Sequence, residues 1–156
     1  MEKVLIEIEM ENGDVMKGEL YPEVAPITVE NFLKLIDEDF FAGLIFHRVI
    51  PGFMIQGGGY TKDFKEKHCD SIKGEFKSNG VNNELKHTEG VLSMARTMIK
   101  DSASSQFFIM HKPAPHLDGE YAAFGKITEV RYCRSNCQCP YKLPRLSNNT
   151  SCDQNN

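Results

Sequence analysis

The chain opens with a regular alternation of apolar and polar side chains. Residues 4–10 carry an apolar residue at every second position, with acidic residues at most positions between. This period of two predicts a β-strand with one apolar face. Asn12-Gly13 then predicts a tight hairpin turn, because both residues tolerate positive φ. Residues 15–21 form the predicted returning strand.

After this hairpin, the spacing of the apolar residues changes to that of an α-helix. Apolar residues recur at i, i+3, i+4 and i+7, namely Val29, Phe32, Leu33 and Ile36. This spacing predicts an amphipathic helix that ends near Asp39. Pro26 suits its first turn, where the missing N–H needs no partner.

The rest of the pattern predicts more strands than helices. Segments rich in β-branched and aromatic residues predict further strands at 44–49, 91–95, 106–111 and 123–128. Residues 57–85 are polar and rich in glycine, which predicts a long loop region with one short strand at 74–76. Six or more strands and one early helix indicate a mainly β antiparallel barrel or sandwich.

Composition narrows the class of protein. A length of 156 residues suits one domain with a hydrophobic core, and 40% apolar with 26% charged residues is typical of a globular protein. A net charge of -4 gives no reason to expect nucleic acid or an anionic membrane as partner. Without a signal-peptide pattern or an apolar run of membrane-spanning length, we expect a cytoplasmic protein.

The sequence offers little for nucleophilic or metal chemistry. Ser102, Ser104 and Ser105 lie in a predicted loop without a nucleophile elbow. Cys69 has no activating neighbour beyond His68. The histidines and cysteines match no standard metal motif, so neither a metal nor a cofactor is predicted.

The segment 46–59, FHRVIPGFMIQGGG, places a cation, large apolar groups and an amide around a Pro-Gly hinge. If 53–56 is a strand, Met54 and Gln56 lie on one face and Phe53 and Ile55 on the other. A twist or bulge beside the hinge is then needed to bring Phe53 and Met54 together. Such a site suits prolyl cis/trans isomerisation, which must overcome a barrier of about 20 kcal/mol without proton transfer. A guanidinium at the prolyl nitrogen and donors at the rotating oxygen favour the twisted amide.

Four motifs occur in order along the chain: FHRVIPGFMIQGG at 46–58, GVLSMA at 90–95, SSQFFIM at 104–110 and LDGEYAAFGK at 117–126. Over residues 1–129 the chain resembles the cyclophilin-type peptidyl-prolyl isomerases in their compact bacterial form. The resemblance implies a closed antiparallel eight-stranded β-barrel with flanking helices. It also implies a monomer without a cofactor that accelerates folding of proline-containing, unfolded or flexible polypeptides.

The resemblance carries over to individual residues. Arg48 matches the catalytic arginine, Gln56 the amide that orients it, and Phe53 and Phe108 the wall of the proline pocket. Further positions match the substrate-binding groove: Met54, Ala95, Arg96, Gln106, His116, Leu117 and Tyr121. His116 and Tyr121 stand where many eukaryotic members have tryptophan and histidine. Losing the indole removes a donor and contact area, so weak cyclosporin binding is expected.

The resemblance ends after Glu129. Residues 130–156 form a polar tail with four cysteines in place of the family's final helix and strand. Suitable codons for residues 130–134, shifted by one base, encode Phe-Asp-Ile-Val-Asp, and with suitable synonymous codons the continued shifted frame can end in Val-Val-Ile-Lys-Thr. We therefore hypothesise a frameshift near residue 130, with a largely disordered tail and a barrel lacking its last helix and strand.

Two alternatives to an isomerase stay open at this point. The same groove could serve a non-catalytic module that binds proline peptides. The frameshift could also leave an inactive product, because an intact domain is stable by only about 5–15 kcal/mol. An isomerisation assay and a thermal melt separate these three hypotheses.

Overall fold

A computed structural model of the chain describes residues 3–9, 15–131, 142–143 and 145–148. These residues contain one α-helix, α1 at Pro26–Asp37, and short 3-10 helices at Lys77–Asn79 and Pro115–Leu117. The strands are β1 Val4–Glu9, β2 Val15–Leu20, β3 Leu44–Ile45, β4 Arg48–Ile50, β5 Met54–Gly57, β6 Tyr60–Thr61, β7 Val91–Met94, β8 Phe107–Met110, β9 Ala123–Arg131, β10 Lys142–Leu143 and β11 Arg145–Asn148.

All strand pairs are antiparallel, and most belong to one sheet. Its eight strands have the order β11-β1-β2-β9-β7-β8-β5-β4, while β10, β3 and β6 form a second, three-stranded sheet. The mainly β antiparallel architecture with one early helix is therefore confirmed. Within the large sheet, β7, β8 and β9 lie between the hairpin β4–β5 and the hairpin β1–β2.

The predicted closure into an eight-stranded barrel is not seen, because in the described ranges the large sheet stays open at β4 and β11. The segment predicted as a single strand at 44–49 differs from the prediction as well. It is divided into β3 and β4, which pair in different sheets. Between them Phe46 is buried in the core, and His47 packs edge-on against Tyr60 with ring centroids 4.5 Å apart. The flanking strands are left only two and three residues long.

The described part of the predicted tail contains strands. β9 continues to Arg131, β10 pairs with β3, and β11 pairs with β1 through Ile6 opposite Asn148. An unpaired strand edge exposes a row of N–H and C=O groups that another segment can pair with, as β11 does with β1. The tail residues 132–141, 144 and 149–156, and the predicted Asn12-Gly13 turn, lie outside the described residues.

The main hydrophobic core packs α1 against the large sheet. Phe32 on α1 is its centre, with its ring 5.0–5.2 Å from the rings of Phe41, Phe107 and Phe124. The predicted apolar stripe is confirmed: Val29, Phe32 and Ile36 are buried, and the half-buried Leu33 packs against the same core. The helix ends at Asp37, two residues before the predicted end.

A second, smaller core lies on the other face of β5. Its buried members are Met54, Val91, Phe108, Met110, Ala114, Leu117 and Ala123. Met54 points into this second cluster, whereas the next residue, Ile55, packs against the main core. The predicted opposite faces of Met54 and Ile55 are therefore confirmed, whereas Phe53 precedes the strand and packs with the Met54 cluster. Most residues predicted for the proline pocket belong to the second cluster or border it.

Candidate active site

The hairpin β4–β5 presents the predicted cation and amide together. Arg48 and Gln56 lie opposite each other in the register of the two strands, and Arg48 Nη1 donates to Gln56 Oε1 at 3.3 Å. Gln56 Nε2 in turn donates to Gln106 Oε1 at 3.0 Å. The three side chains form one hydrogen-bonded row that fixes the orientation of the Gln56 amide. Arg48 itself is exposed.

The turn between these strands places Phe53. Pro51 and Gly52 are its central residues, Gly52 has φ of 79°, and Phe53 N–H donates to Ile50 O at 3.0 Å. These features are typical of a type II turn. Phe53 precedes the regular strand and packs against the same cluster as Met54. Its ring stacks on His116 with centroids 6.2 Å apart.

Phe108 forms the centre of the apolar wall. It lies opposite Gln56 on one side and opposite Ser93 on the other. The Tyr121 ring meets it edge-on, with centroids 5.7 Å apart and planes at 83°. Leu117 closes the wall from the 3-10 helix Pro115–Leu117 and is buried. Phe108, Leu117 and Tyr121 thus pack into one cluster with Met54, and Phe108 lies opposite Gln56 in the sheet.

The other side of the site is formed by the segment after β7. Ala95 N–H donates to Gln106 O at 2.9 Å, which ties this segment to the residue before β8. The Arg96 guanidinium lies between the rings of Phe76 and Tyr121, 4.7 Å from each centroid. Its Nε and Nη2 both donate to the carbonyl oxygen of Glu120, at 3.1 and 2.7 Å. Arg96 therefore holds the Tyr121 side of the site in place.

A buried polar network behind the wall was missed by the sequence analysis. His87 Nδ1 lies 3.0 Å from Asp118 Oδ1, and its Nε2 lies 2.8 Å from Ser93 Oγ. The ring stacks on Phe108 with centroids 6.0 Å apart. Burial lowers the pKa of His87, and the hydrogen bond to Asp118 opposes that change. Nothing in the local sequence signals this network, because His87 stands in a polar segment.

Close packing at glycine supports the amide row. A Cβ on Gly59 would lie only 2.5 Å from Gln106 Cγ and 2.6 Å from its Nε2. Gln106 can hold its position beside Gln56 because Gly59 has no side chain. Gly59, the last of the three consecutive glycines, therefore has a structural reason. The glycine run was the signal in the sequence that could have pointed to this close packing.

The site combines an exposed guanidinium, two linked amides and an apolar wall. In the part of the chain that the structure describes, no group of three or more His, Cys, Asp or Glu side chains is placed to hold a metal ion. Over the same residues, no helix is both long and apolar enough to cross a membrane. The geometry suits binding of an apolar ring beside a group that donates hydrogen bonds.

Comparison with known proteins agrees with this geometry. The family described as cyclophilin type peptidyl-prolyl cis-trans isomerase/CLD matches residues 5–133. The chain is 46% identical over 129 residues to peptidyl-prolyl cis-trans isomerase B of Bacillus subtilis, covering 76% of this chain and 80% of that protein. It is 42% identical over 123 residues to a peptidyl-prolyl cis-trans isomerase of Schizosaccharomyces pombe, covering 78% and 77%.

Solved structures agree as well. A cyclophilin type peptidyl-prolyl cis-trans isomerase of Cryptosporidium parvum superposes with a TM-score of 0.73 at 27% identity, over 93% of this chain and 96% of that chain. A structure of the same protein in the presence of the dipeptide Ala-Pro superposes with a TM-score of 0.70 at 28% identity, over 91% and 96%. The chain therefore belongs to the cyclophilin-type peptidyl-prolyl cis-trans isomerases.

Proposed function

We propose that the chain accelerates cis/trans isomerisation of Xaa-Pro bonds in unfolded or flexible polypeptides during folding. The observation that carries this proposal is the row Arg48–Gln56–Gln106 beside the apolar wall around Phe108. The Ala-Pro dipeptide present with the Cryptosporidium relative is consistent with a proline ligand in this groove. The uncatalysed step takes tens of seconds, so acceleration matters for folding.

The proline ring would occupy the apolar part of the site. Phe53, Met54, Phe108 and Leu117 are the proposed wall, and the stacked His116 and the edge-on Tyr121 border it. An apolar wall holds the ring by removing it from water, at about 25 cal/mol per Å² of apolar surface buried. With the ring held, the carbonyl before the proline is the group that rotates.

Arg48 would act on the twisted amide. Rotation ends the conjugation of the prolyl nitrogen, whose lone pair becomes an acceptor for a guanidinium N–H. A donor that meets this lone pair only in the twisted state lowers the barrier and not merely the ground state. Gln56 holds the guanidinium through its Oε1, and Gln106 holds Gln56.

The peptide backbone would be held by the segment 95–96. The Ala95 N–H is already bonded to Gln106 O, so the proposed contact to the residue before proline uses the Ala95 carbonyl. The Arg96 donors bond to the carbonyl oxygens of Thr97 and Glu120. Arg96 would therefore contribute to binding mainly through its backbone and through the position of Tyr121.

Replacing Arg48 tests the proposal. In an Xaa-Pro peptide assay, the native chain should raise the isomerisation rate, and Arg48→Ala should lose about a hundredfold or more of kcat/KM, as removal of one transition-state donor typically does. Lys62→Ala, which alters another exposed cation, serves as control. A native protein that binds the peptide without accelerating isomerisation would instead support a non-catalytic binding module.

Weak cyclosporin binding is a further part of the proposal. His116 is exposed and offers a smaller ring than an indole, without the indole donor at that position. Inhibition of peptide isomerisation by cyclosporin measures this directly. A constant below about 100 nM would contradict the expectation.

The hypothesis of a frameshift after Glu129 stands beside these proposals. It is supported by the family match, which ends at residue 133 of 156. Under this hypothesis the family's final helix and strand, which would complete a closed barrel, are replaced by the cysteine-rich segment 130–156. Sequencing the gene around codon 130 tests it, and an intact frame would refute it. Absence of a cooperative thermal transition would favour an inactive product.

Two expectations, on the oligomeric state and on the location in the cell, complete the proposal. We expect a monomer in the cytoplasm, on the basis of the compact bacterial form that the chain resembles. Sedimentation of the purified chain tests the first expectation. Fractionation of cells that produce the natural protein tests the second.

A further inference from the structure

The turn between β4 and β5 needs an anchor from outside itself. Its own hydrogen bond, from Phe53 N–H to Ile50 O at 3.0 Å, leaves the N–H of Gly52 without a partner inside the turn. Gly52 has φ of 79° and, as a glycine, has access to more conformations than other residues. Yet this turn fixes the separation between Arg48 on one strand and Phe53 at the start of the other.

His111 supplies that anchor through two bonds. Its backbone N–H donates to Phe53 O at 2.8 Å, and its ring Nδ1 accepts the N–H of Gly52 at 2.9 Å. His111 directly follows β8, which is held between β5 and β7 inside the large sheet. The turn is therefore attached to a strand with partners on both sides.

The hydrogen bond from Gly52 N–H to the His111 ring requires a side chain with a hydrogen-bond acceptor at position 111. Because Gly52 N–H is the donor, Nδ1 must offer its lone pair to this bond. An asparagine can provide the same acceptor, since its Oδ1 is also bonded to Cγ. A leucine has nearly the same size and shape as asparagine but offers no acceptor.

We propose that His111 is a positioning residue for the isomerisation, which acts through the Gly52 N–H to hold the proline-pocket residue Phe53 in register with Arg48. The inference rests on the isomerase function proposed above. It concerns no contact between His111 and substrate. The loss of the ring acceptor leaves the pocket residues unchanged in type but allows the turn to move. Catalysis then weakens because the Phe53 ring and the Arg48 guanidinium are less well aligned on the same proline.

The test compares His111→Leu with His111→Asn in the full chain. His111→Leu should lower kcat/KM by about threefold to tenfold, the range that one neutral hydrogen bond supports, with kcat reduced. His111→Asn should stay within about twofold of the native value. His68→Leu, at an exposed histidine in another loop, is the matched control and should leave activity unchanged.

Hydrogen exchange of the Gly52 amide gives a second measurement that does not depend on activity. In the native protein and in His111→Asn this amide should be protected, and in His111→Leu it should exchange faster. Native activity in His111→Leu, an equal loss in both variants, or an unprotected Gly52 amide in the native protein would each overturn the proposal. A failure of the native chain to isomerise any peptide would instead refute the proposed function.

Discussion

Replacing Glu75 should destabilise the fold through the start of α1. The helix begins after Ala25, which has no side chain able to cap its first N–H groups. The cap comes from Glu75, which is 47 residues away from Thr28 and only 3% exposed. Its carboxylate accepts from Ile27 N–H at 3.1 Å, Thr28 N–H at 2.7 Å and Thr28 Oγ1 at 2.8 Å.

The size of the effect follows from these three bonds. A carboxylate at a helix N-terminus gains about 0.3–1 kcal/mol from the helix dipole, and more when partly buried. Leaving a buried donor unsatisfied costs about 1–3 kcal/mol, and the three bonds are not additive because they share one carboxylate. We therefore expect Glu75→Ala to lower the free energy of unfolding by about 3 kcal/mol. For a chain of this length that corresponds to about 6–12 °C in melting temperature.

Thermal and urea unfolding measure the change. Glu84→Ala is the control, since Glu84 is exposed and its ion pair to Lys77 spans 3.5 Å in solvent. That variant should stay within about 0.5 kcal/mol of the native chain. A melting temperature of Glu75→Ala within about 2 °C of the native value would refute the argument that α1 depends on this distant cap.

Two further perturbations follow from the site. Gly59→Ala should push Gln106 away from Gln56 and lower kcat/KM by about threefold to tenfold, with a smaller effect on melting temperature; equal activity would contradict the role of the amide row. Burial lowers the pKa of His87 from its ordinary 6.5, so on acidification the unfolded chain binds a proton before the folded one does. The free energy of unfolding should therefore fall as the pH drops below about 6.5, and it should fall less steeply in His87→Gln. Urea unfolding at several pH values measures this free energy for both proteins, and the same dependence on pH in both would contradict the argument.

Local periodicity explains why the opposite faces of neighbouring residues in β5 were predicted correctly. Alternation in a strand requires only neighbouring residues, so the opposite faces of Met54 and Ile55 follow from the sequence itself. The place of Phe53 depends on the Pro51-Gly52 turn, whose residues are also local. The roles of these residues in catalysis stay predictions.

Contacts between distant segments could not be predicted in this way. Segment 57–85 was predicted as a polar loop region, yet Glu75 and Asn83 in it are buried, because they satisfy backbone groups of other elements. Asn83 Nδ2 donates to Ala123 O, 40 residues away, at 2.9 Å. The short strand predicted at 74–76 is irregular chain in the structure.

The division of the predicted strand 44–49 has a similar origin. Its first three residues, Leu44, Ile45 and Phe46, are a continuous apolar run, and such a run does not show which partner each residue pairs with. Leu44 and Ile45 pair with β6, while Arg48 pairs with Gln56 in the other sheet. Only the completed packing decides between these partners.

The central claim is that this chain, with the tail it carries, isomerises Xaa-Pro bonds at the Arg48 site. Exchange NMR on an Ala-Pro-containing peptide at equilibrium, with the full 156-residue chain, tests it most directly. We predict cis/trans exchange far faster than the spontaneous rate, with most of the acceleration lost in folded Arg48→Ala. A folded native chain that binds the peptide and leaves its exchange rate unchanged would contradict the claim.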